Sequence, residues 1–338
     1  MAEVALLFPG QGAQQRGMAT GLYGWAPVFT KVIDSVFGLM GTEGKRIRAD
    51  WLGICSLIDI DDVRRAQPLL FAVDYALARM VLSWGVTPVA LLGHSAGELV
   101  AATLAGVFTL EEAVRVLLGR VRAAANGPEG GMLAVAAGAD DLLRYLTGDV
   151  AVAAVNGPRQ TMLAGTTEHL RSVDERLRAD DFTVRAVPAR NPFHSPAMGP
   201  VGREAKRAVE KIPLRAPESL IYSGYTGFPL GAAEARDPEF WSRQLTDPVY
   251  FGPALDRLLA RRELSLIEAG PGQTLTTFAR RHRALRSGRS ESIPLSPVHP
   301  DHEADRQALL AVADRFGASE NLAATPIPVS EAAFVNGR

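Results

Sequence analysis

The sequence is almost without cysteine. Cys55 is the only one in 338 residues, so no internal disulfide forms and a reducing compartment fits. It stands in Leu52-Gly-Ile-Cys-Ser56 with no histidine close by, the setting of a plain buried thiol rather than a nucleophile or a metal ligand. An excess of one charge is lacking too. The 36 Lys and Arg face 37 Asp and Glu, a net charge of −1, which argues against nucleic-acid binding and against a polybasic membrane surface. No apolar run is long enough to span a membrane. The N-terminus has neither the basic segment nor the long apolar core of a signal peptide. Repeats and low-complexity tracts are absent as well. What remains is a chain that is 47% hydrophobic and 22% charged, the balance of a soluble globular enzyme with a large core, and the cytoplasm is the compartment expected from the features it lacks. Its length predicts one large domain with an insert, or two domains.

The stretch Pro88-Val-Ala-Leu-Leu-Gly-His-Ser-Ala-Gly-Glu-Leu99 organises the rest. An apolar strand runs into Gly93-His94-Ser95-Ala96-Gly97, and a helical segment follows at once. This is the G-x-S-x-G nucleophile elbow in its strand–turn–helix setting. Its glycines permit the sharp reversal, Ser95 is presented at the tip, and the Ala96 N–H points to where a negative oxygen can sit. Near the N-terminus, the strand Val4–Phe8 runs into Pro9-Gly-Gln-Gly-Ala-Gln14. No Lys-Ser/Thr follows, so this is not a phosphate loop. It is either a plain βα turn or a loop that brings backbone N–H groups and Gln11 to a site beside Ser95.

Residues 21–65 read as broken helix. A long buried helix is expected over Ala66–Leu82, with Pro68 near its first turn. Thr109-Leu-Glu-Glu112 is a capping box opening a helix to about Ala125. Arg115, Arg120 and Arg122 lie on that helix, where arginines are most often solvated. The rhythm changes at Gly127–Gly131. Strand, helix, strand, strand, helix and strand then follow through Pro188, the βαββαβ order of a ferredoxin-like split βαβ. The fold class expected is α/β: a large α/β-hydrolase-like domain (1–129 and 193–316) with a small ferredoxin-like subdomain inserted at 130–192. Residues 317–338 would form a loosely held tail. His194 falls in a loop between prolines, a position that suits either a surface histidine or a functional one. Later helices are expected at 199–212, Pro238–Leu245, Pro253–Arg261 and 301–316. Strands are expected at Leu220–Ser223, Leu264–Glu268 and Ile293–Leu295. A helix after Gly270-Pro-Gly272 would carry Arg280, Arg281, Arg283 and Arg286.

Seven segments now stand in order: Gly10–Gln14, Gln67-Pro68, Gly93–Glu98, Arg120, Phe193-His194-Ser195-Pro196, Gln244 and Gly270-Pro-Gly272. Together they resemble the malonyl-CoA:acyl carrier protein transacylase family, which includes the acyltransferase domains of polyketide synthases and their discrete, trans-acting relatives. The resemblance runs from about Val4 to Leu295. It implies that Ser95 is the acylated nucleophile and that His194 is general base and then general acid. It implies an oxyanion hole made by the N–H groups of Gln11 and Ala96, and a histidine oriented by a main-chain carbonyl rather than a carboxylate. Gln244 matches a glutamine near the histidine, and Arg120 matches the arginine that pairs with a free acyl carboxylate. Phe193, His94 and Gln67 match substrate-side or supporting positions. No cofactor or metal is implied; coenzyme A and phosphopantetheine are carriers of the substrate. The partners implied are an acyl carrier protein and an acyl-CoA or acyl-carrier donor. With no room for a ketosynthase or carrier domain, the chain is expected to act in trans, as a monomer, in polyketide or fatty acid biosynthesis.

Some positions depart from the family pattern. Arg120 is followed by Val121-Arg-Ala-Ala-Ala125 instead of Gly-x-x-Met-Gln, so Ala124 stands where a large side chain is common. The residues Asn191-Pro-Phe-His194 match neither the His-Ala-Phe-His of malonyl-selective domains nor the Tyr-Ala-Ser-His of methylmalonyl-selective ones. Phe193 leans toward an unbranched acyl group; Asn191, Pro192 and Ala96 fit neither pattern. Two substrate readings follow. In one, Arg120 holds a carboxyacyl group. In the other, Ala124 and Ala125 widen the pocket, Arg120 faces a carrier or solvent, and a longer or neutral chain moves between carriers. Outside transfer, a hydrolase clearing stalled carriers would use the same Ser95 and His194, and a non-catalytic docking module would need neither.

Overall fold

The computed structural model describes residues 3–54, 58–260 and 262–322, so Cys55 and the chain beyond Leu322 lie outside the described residues. Two sheets organise the fold. Strands β1 (Glu3–Phe8) and β2 (Ala90–Gly93) lie side by side and parallel. β3 (Gly130–Val135), β4 (Ala151–Gly157), β5 (Gln160–Thr166) and β6 (Val184–Val187) form a separate antiparallel sheet in the order β4-β5-β3-β6. β7 (Ile221–Tyr222), β8 (Leu264–Glu268) and β9 (Glu291–Pro294) then return to the first sheet, which runs β7-β2-β1-β8-β9, all parallel.

The two sheets have different chemistry. β1 is apolar and buried from Val4 to Phe8, and β8 is buried throughout with Ser265 and Glu268 among its apolar residues, as parallel strands in the middle of a covered sheet are. The order β4-β5-β3-β6 is that of the ferredoxin-like split βαβ. It has its own small core of Leu133, Val135, Leu163, Leu170, Val173 and Leu177. The helix Thr167–Ala179 packs over that sheet. The fold is thus α/β, a large unit built on the parallel sheet with a small subdomain built on the antiparallel one.

The helix Val63–Ser83 begins earlier than its apolar pattern indicates, because Asp62 caps it by accepting from the Arg64 N–H. Pro68 is therefore inside the helix, not in its first turn. The Arg64 carbonyl that Pro68 leaves unbonded accepts from the Arg65 guanidinium at 3.0 Å. After Gly272 there are two short helices, Thr274–Ala279 and Arg283–Arg286, because the His282 ring accepts from the Ala284 N–H and starts a new cap. Residues 317–322, which fall in the tail expected to be loose, are held. Gly317, at φ 65°, closes the helix His302–Arg315, and Ala318 and Leu322 are buried. Among the described residues no helix is long and apolar enough to cross a membrane.

Candidate active site

The register of β1 on β2 ends with Phe8 opposite Gly93, and the His94 N–H donates to the Phe8 carbonyl at 2.8 Å. The two strands therefore stop together. The glycine-rich turn and the elbow emerge side by side at the carboxyl edge of the sheet, where open α/β folds bind ligands. The approach is too close for a side chain. A Cβ on Gly10 would stand 2.4 Å from the His94 carbonyl oxygen and 3.1 Å from the Ser95 Cβ, and one on Gly97 would stand 2.2 Å from the Phe8 oxygen.

Ser95 Oγ lies 2.7 Å from His194 Nε2, across a sequence separation of 99 residues. His194 Nδ1 lies 2.9 Å from the main-chain oxygen of Asp247. A carbonyl only accepts, so Nδ1 carries the proton and Nε2 offers its lone pair to the Ser95 hydroxyl. The orienting group is thus a main-chain carbonyl. Burial, above all, pushes the imidazole down to about 4, with His94 and Arg120 adding to the shift. At neutral pH His194 is an uncharged base. Four non-glycine residues among those described have positive φ, and two of them are Ser95 (52°) and His194 (64°). Each such conformation costs about 1–3 kcal/mol and persists only where neighbours over-determine it.

Those neighbours can be named. The His194 N–H donates to the Leu245 carbonyl at 2.8 Å, and the Ser195 hydroxyl to the Pro192 carbonyl at 2.7 Å. The Asn191 amide donates to the carbonyls of Ala124 and Pro128, which ties the returning loop to the outgoing linker. Phe193 is buried in the main core below that loop. On the serine side, Glu98 is buried and pushed up to about 8 by desolvation; its carboxylate accepts from the Ser223 hydroxyl and the Gly224 N–H, both at 2.7 Å.

The N–H groups of Gln11 and Ala96 have no acceptor among the described residues. Free donors beside a nucleophile suit a tetrahedral oxyanion. The turn that holds Gln11 is braced throughout. Gln67 Nε2 donates to Gln11 Oε1 at 3.1 Å, the Gly12 N–H to Gln14 Oε1 at 2.6 Å, and Gln14 Nε2 to Asp61 at 2.8 Å. A cavity of about 250 Å³ opens between this turn and the small sheet; Gln11, His94, Met162, Val187 and Phe278 line it.

The small sheet also buttresses the dyad. Asn156 Oδ1, on β4, accepts from His94 Nε2 at 2.8 Å. Val249, two residues past the orienting carbonyl of Asp247, exchanges backbone hydrogen bonds with Ala153 and Val155 of the same strand. His94, next to Ser95, is therefore committed to an inter-sheet contact, and burial favours the neutral ring. Asn156→Ala is expected to leave His94 unpartnered and to lower stability by about 1–3 kcal/mol. Chemical denaturation would read this as a lower midpoint at unchanged slope; an unchanged midpoint would mean that the contact contributes nothing.

Arg120 is not a solvated arginine. It is 5% exposed, and its Nη2 donates to the Trp241 carbonyl at 2.7 Å and to Gln244 Oε1 at 3.0 Å. Its Nε and the Gln244 Nε2 have no partner. No carboxylate pairs with Arg120 among the described residues, although its charge acts on Glu98, Tyr225 and His194. The reading in which Arg120 meets a carrier or solvent is therefore overturned by its burial. Ala125, offered as a sign of a wider acyl pocket, is exposed and lines a separate cleft with Glu43, Arg46 and Leu118; Ala124 is packed in the core.

Two features of the site have no counterpart in the sequence motifs: Asn156, which holds His94, and the carbonyl of Asp247, which holds His194. A carbonyl carries no side-chain signature. Asn156 had one usable signal, a polar residue at the buried end of a strand. Among the described residues no group of three or more His, Cys, Asp or Glu is placed to hold a metal ion.

The family model described as "Acyl transferase domain" matches residues 5–320. The chain is 39% identical over 280 residues to a phenolphthiocerol/phthiocerol polyketide synthase component of Mycobacterium tuberculosis; the match covers 82% of this chain and 19% of that one. This chain thus corresponds to about a fifth of that relative's length. Two solved structures superpose closely. The acyltransferase domain from the second module of the salinomycin polyketide synthase is 33% identical at a TM-score of 0.84, over 94% of this chain and 74% of the other. The acyltransferase domain of SpnD, in complex with 2-(pent-4-yn-1-yl)malonyl, is 30% identical at 0.86, over 96% and 78%. The chain belongs to the acyl transferase domain family, the one that its motifs resemble.

Proposed function

We propose that the protein moves a carboxyacyl unit, malonyl or a close relative, from a coenzyme A or carrier thioester to the phosphopantetheine thiol of an acyl carrier protein, by way of an ester on Ser95. The observation that carries the substrate class is Arg120, a buried guanidinium with no carboxylate partner among the described residues. A buried cation whose hydrogen bonds reach only the neutral oxygens of Trp241 and Gln244, with Glu98 acting on it unpaired, is under-compensated, and a substrate carboxylate supplies the missing charge with bidentate geometry. The malonyl-type ligand in the complex of the SpnD relative supports the same class. That so many relatives are polyketide synthases supports a place in polyketide biosynthesis.

In the first half-reaction the Ser95 hydroxyl gives its proton to His194 Nε2 while Oγ bonds to the thioester carbonyl carbon. The carbonyl oxygen becomes an oxyanion, held by the N–H groups of Gln11 and Ala96. Collapse breaks the carbon–sulfur bond, and His194 returns the proton to the departing thiolate. In the second half the carrier's thiol gives its proton to His194 and attacks the ester. Ser95 Oγ leaves and takes the proton back. Coenzyme A and phosphopantetheine act as handles, and the cavity beside Gln11 suits their approach.

Arg120→Ala tests the substrate class. Transfer of malonyl is expected to fall at least tenfold while transfer of a neutral acyl group is spared or improved, since a charged hydrogen bond contributes roughly 1.5–3 kcal/mol. A wild type that prefers neutral donors, together with a variant that behaves like it, would remove the carboxyacyl reading and leave transfer of neutral chains.

A further inference from the structure

Tyr225 stands against the Ser95–His194 pair and within the electrostatic reach of Arg120. Its ring centroid lies 5.9 Å from the His194 ring and 6.5 Å from Phe240, to which it is nearly perpendicular. Its hydroxyl interacts with the Ser95 side chain, and it feels the charges of both Arg120 and Glu98. Ser95 and His194 therefore border this one side chain, and the charge of Arg120 reaches it.

The backbone fixes Tyr225 in place. The Tyr225 N–H donates to Ser223 Oγ at 3.0 Å. That same hydroxyl donates to Glu98 Oε1, while the Gly224 N–H donates to Glu98 Oε2. A Cβ on Gly224 would stand 2.8 Å from the Gly93 carbonyl oxygen, so the segment is pressed against the elbow strand itself. A rigidly seated ring defines how much volume remains beside a bound group, and a seated hydroxyl defines where a hydrogen bond is available. Burial pushes the phenol well above its ordinary range, so it stays a proton donor at every working pH.

We propose that Tyr225 is a specificity-determining residue: its hydroxyl donates a second hydrogen bond to the acyl carboxylate held by Arg120, and its ring limits the substituent on the adjacent carbon. This rests on the carboxyacyl reading of Arg120 and adds to it the size of the acyl group. A carboxylate accepts from both donors at once, whereas a neutral acyl chain offers nothing to the phenol. A second substituent on the carbon between thioester and carboxylate meets the ring.

The test measures kcat/KM of the full chain for malonyl-CoA, methylmalonyl-CoA and acetyl-CoA, with acyl-enzyme quantified by intact mass. Wild type, Tyr225→Phe and Tyr225→Val are compared, and Tyr225→Leu replaces the valine variant if that one does not fold. Tyr225→Phe keeps the ring, so the malonyl-to-acetyl ratio is expected to fall about tenfold. Tyr225→Val removes the ring, so the methylmalonyl-to-malonyl ratio is expected to rise at least about tenfold. An unchanged malonyl-to-acetyl ratio in Tyr225→Phe, or an unchanged methylmalonyl-to-malonyl ratio in the ring-removing variant, overturns the assignment. An equal loss for all three donors also overturns it, and makes Tyr225 a positioning residue for the dyad. A wild type acylated by acetyl-CoA in preference to both carboxyacyl donors removes the underlying reading instead, which keeps the two failures apart.

Discussion

Ser95→Ala is expected to abolish the acyl-enzyme and to cut transfer by roughly 10⁴–10⁶-fold, the scale seen when a nucleophile that works as a unit with its base is removed. The fold should survive. Among the described residues the Ser95 hydroxyl meets His194, at 2.7 Å, and Tyr225, both within the site. The close approach around Gly10, Gly93 and Gly97 does not involve the Oγ. The residue is already left-handed at φ 52°, so alanine inherits the strain without adding to it. Thermal unfolding close to wild type alongside lost transfer is the predicted pair. A Ser95→Ala protein that still becomes covalently acylated during turnover would mean that the ester forms elsewhere.

His194→Ala is expected to lower transfer by about 10²–10⁴-fold, the usual contribution of a positioned acid–base group. The only other histidine at the elbow, His94, does not substitute for it, because its Nε2 is engaged by Asn156. The pH profile carries a second signature. His194 is pushed down to about 4, so the free enzyme keeps its neutral base from neutral pH down to the region of that value. The kcat/KM profile is therefore expected to stay level through about pH 6.5, where an ordinary histidine would already be half protonated, and to lose its acid side near pH 4. A midpoint near the ordinary value of about 6.5 would indicate an imidazole that is solvated in the working enzyme.

Much of this site was legible in the sequence because its parts are local. The elbow is a strand, a turn and a helix within a dozen residues, and its glycines are dictated by contacts such as Gly97 against Phe8. The alternation after Gly127 disclosed the βαββαβ order, since each element carries its own periodicity. Arg120 shows where the reading stopped short. Taken alone, an arginine on a helix is a surface residue. Yet Ala113, Leu117, Arg120 and Ala124 recur at helical spacing, and all four are buried. The spacing placed the guanidinium on the apolar face; the general habit of arginine outweighed it.

The rest was hidden because it depends on which surfaces meet. The sequence does not say that β4 of the small sheet comes to lie against His94 on one side and Val249 on the other. Nor does it say that a main-chain oxygen at Asp247 orients the base. Tyr225 reads as one more aromatic in a turn until Glu98 is seen to pull its segment onto the elbow. Helix limits erred for a related reason. Asp62 extends a helix upstream of its apolar pattern, and Arg65 repairs the carbonyl that Pro68 leaves open. Both are side-chain contacts that periodicity does not contain.

The central claim is an ester on Ser95 that carries a carboxyacyl group and hands it to a carrier thiol. Intact-protein mass spectrometry tests it most directly. The wild-type chain is exposed to malonyl-CoA and to a panel of neutral acyl-CoA donors, and then chased with a phosphopantetheinylated carrier protein or with buffer. The account predicts a mass gain of one malonyl group located on Ser95 by peptide mapping, persistence in buffer, and rapid transfer of that mass to the carrier. Turnover without any adduct on Ser95, or an adduct that the carrier does not remove, would contradict it.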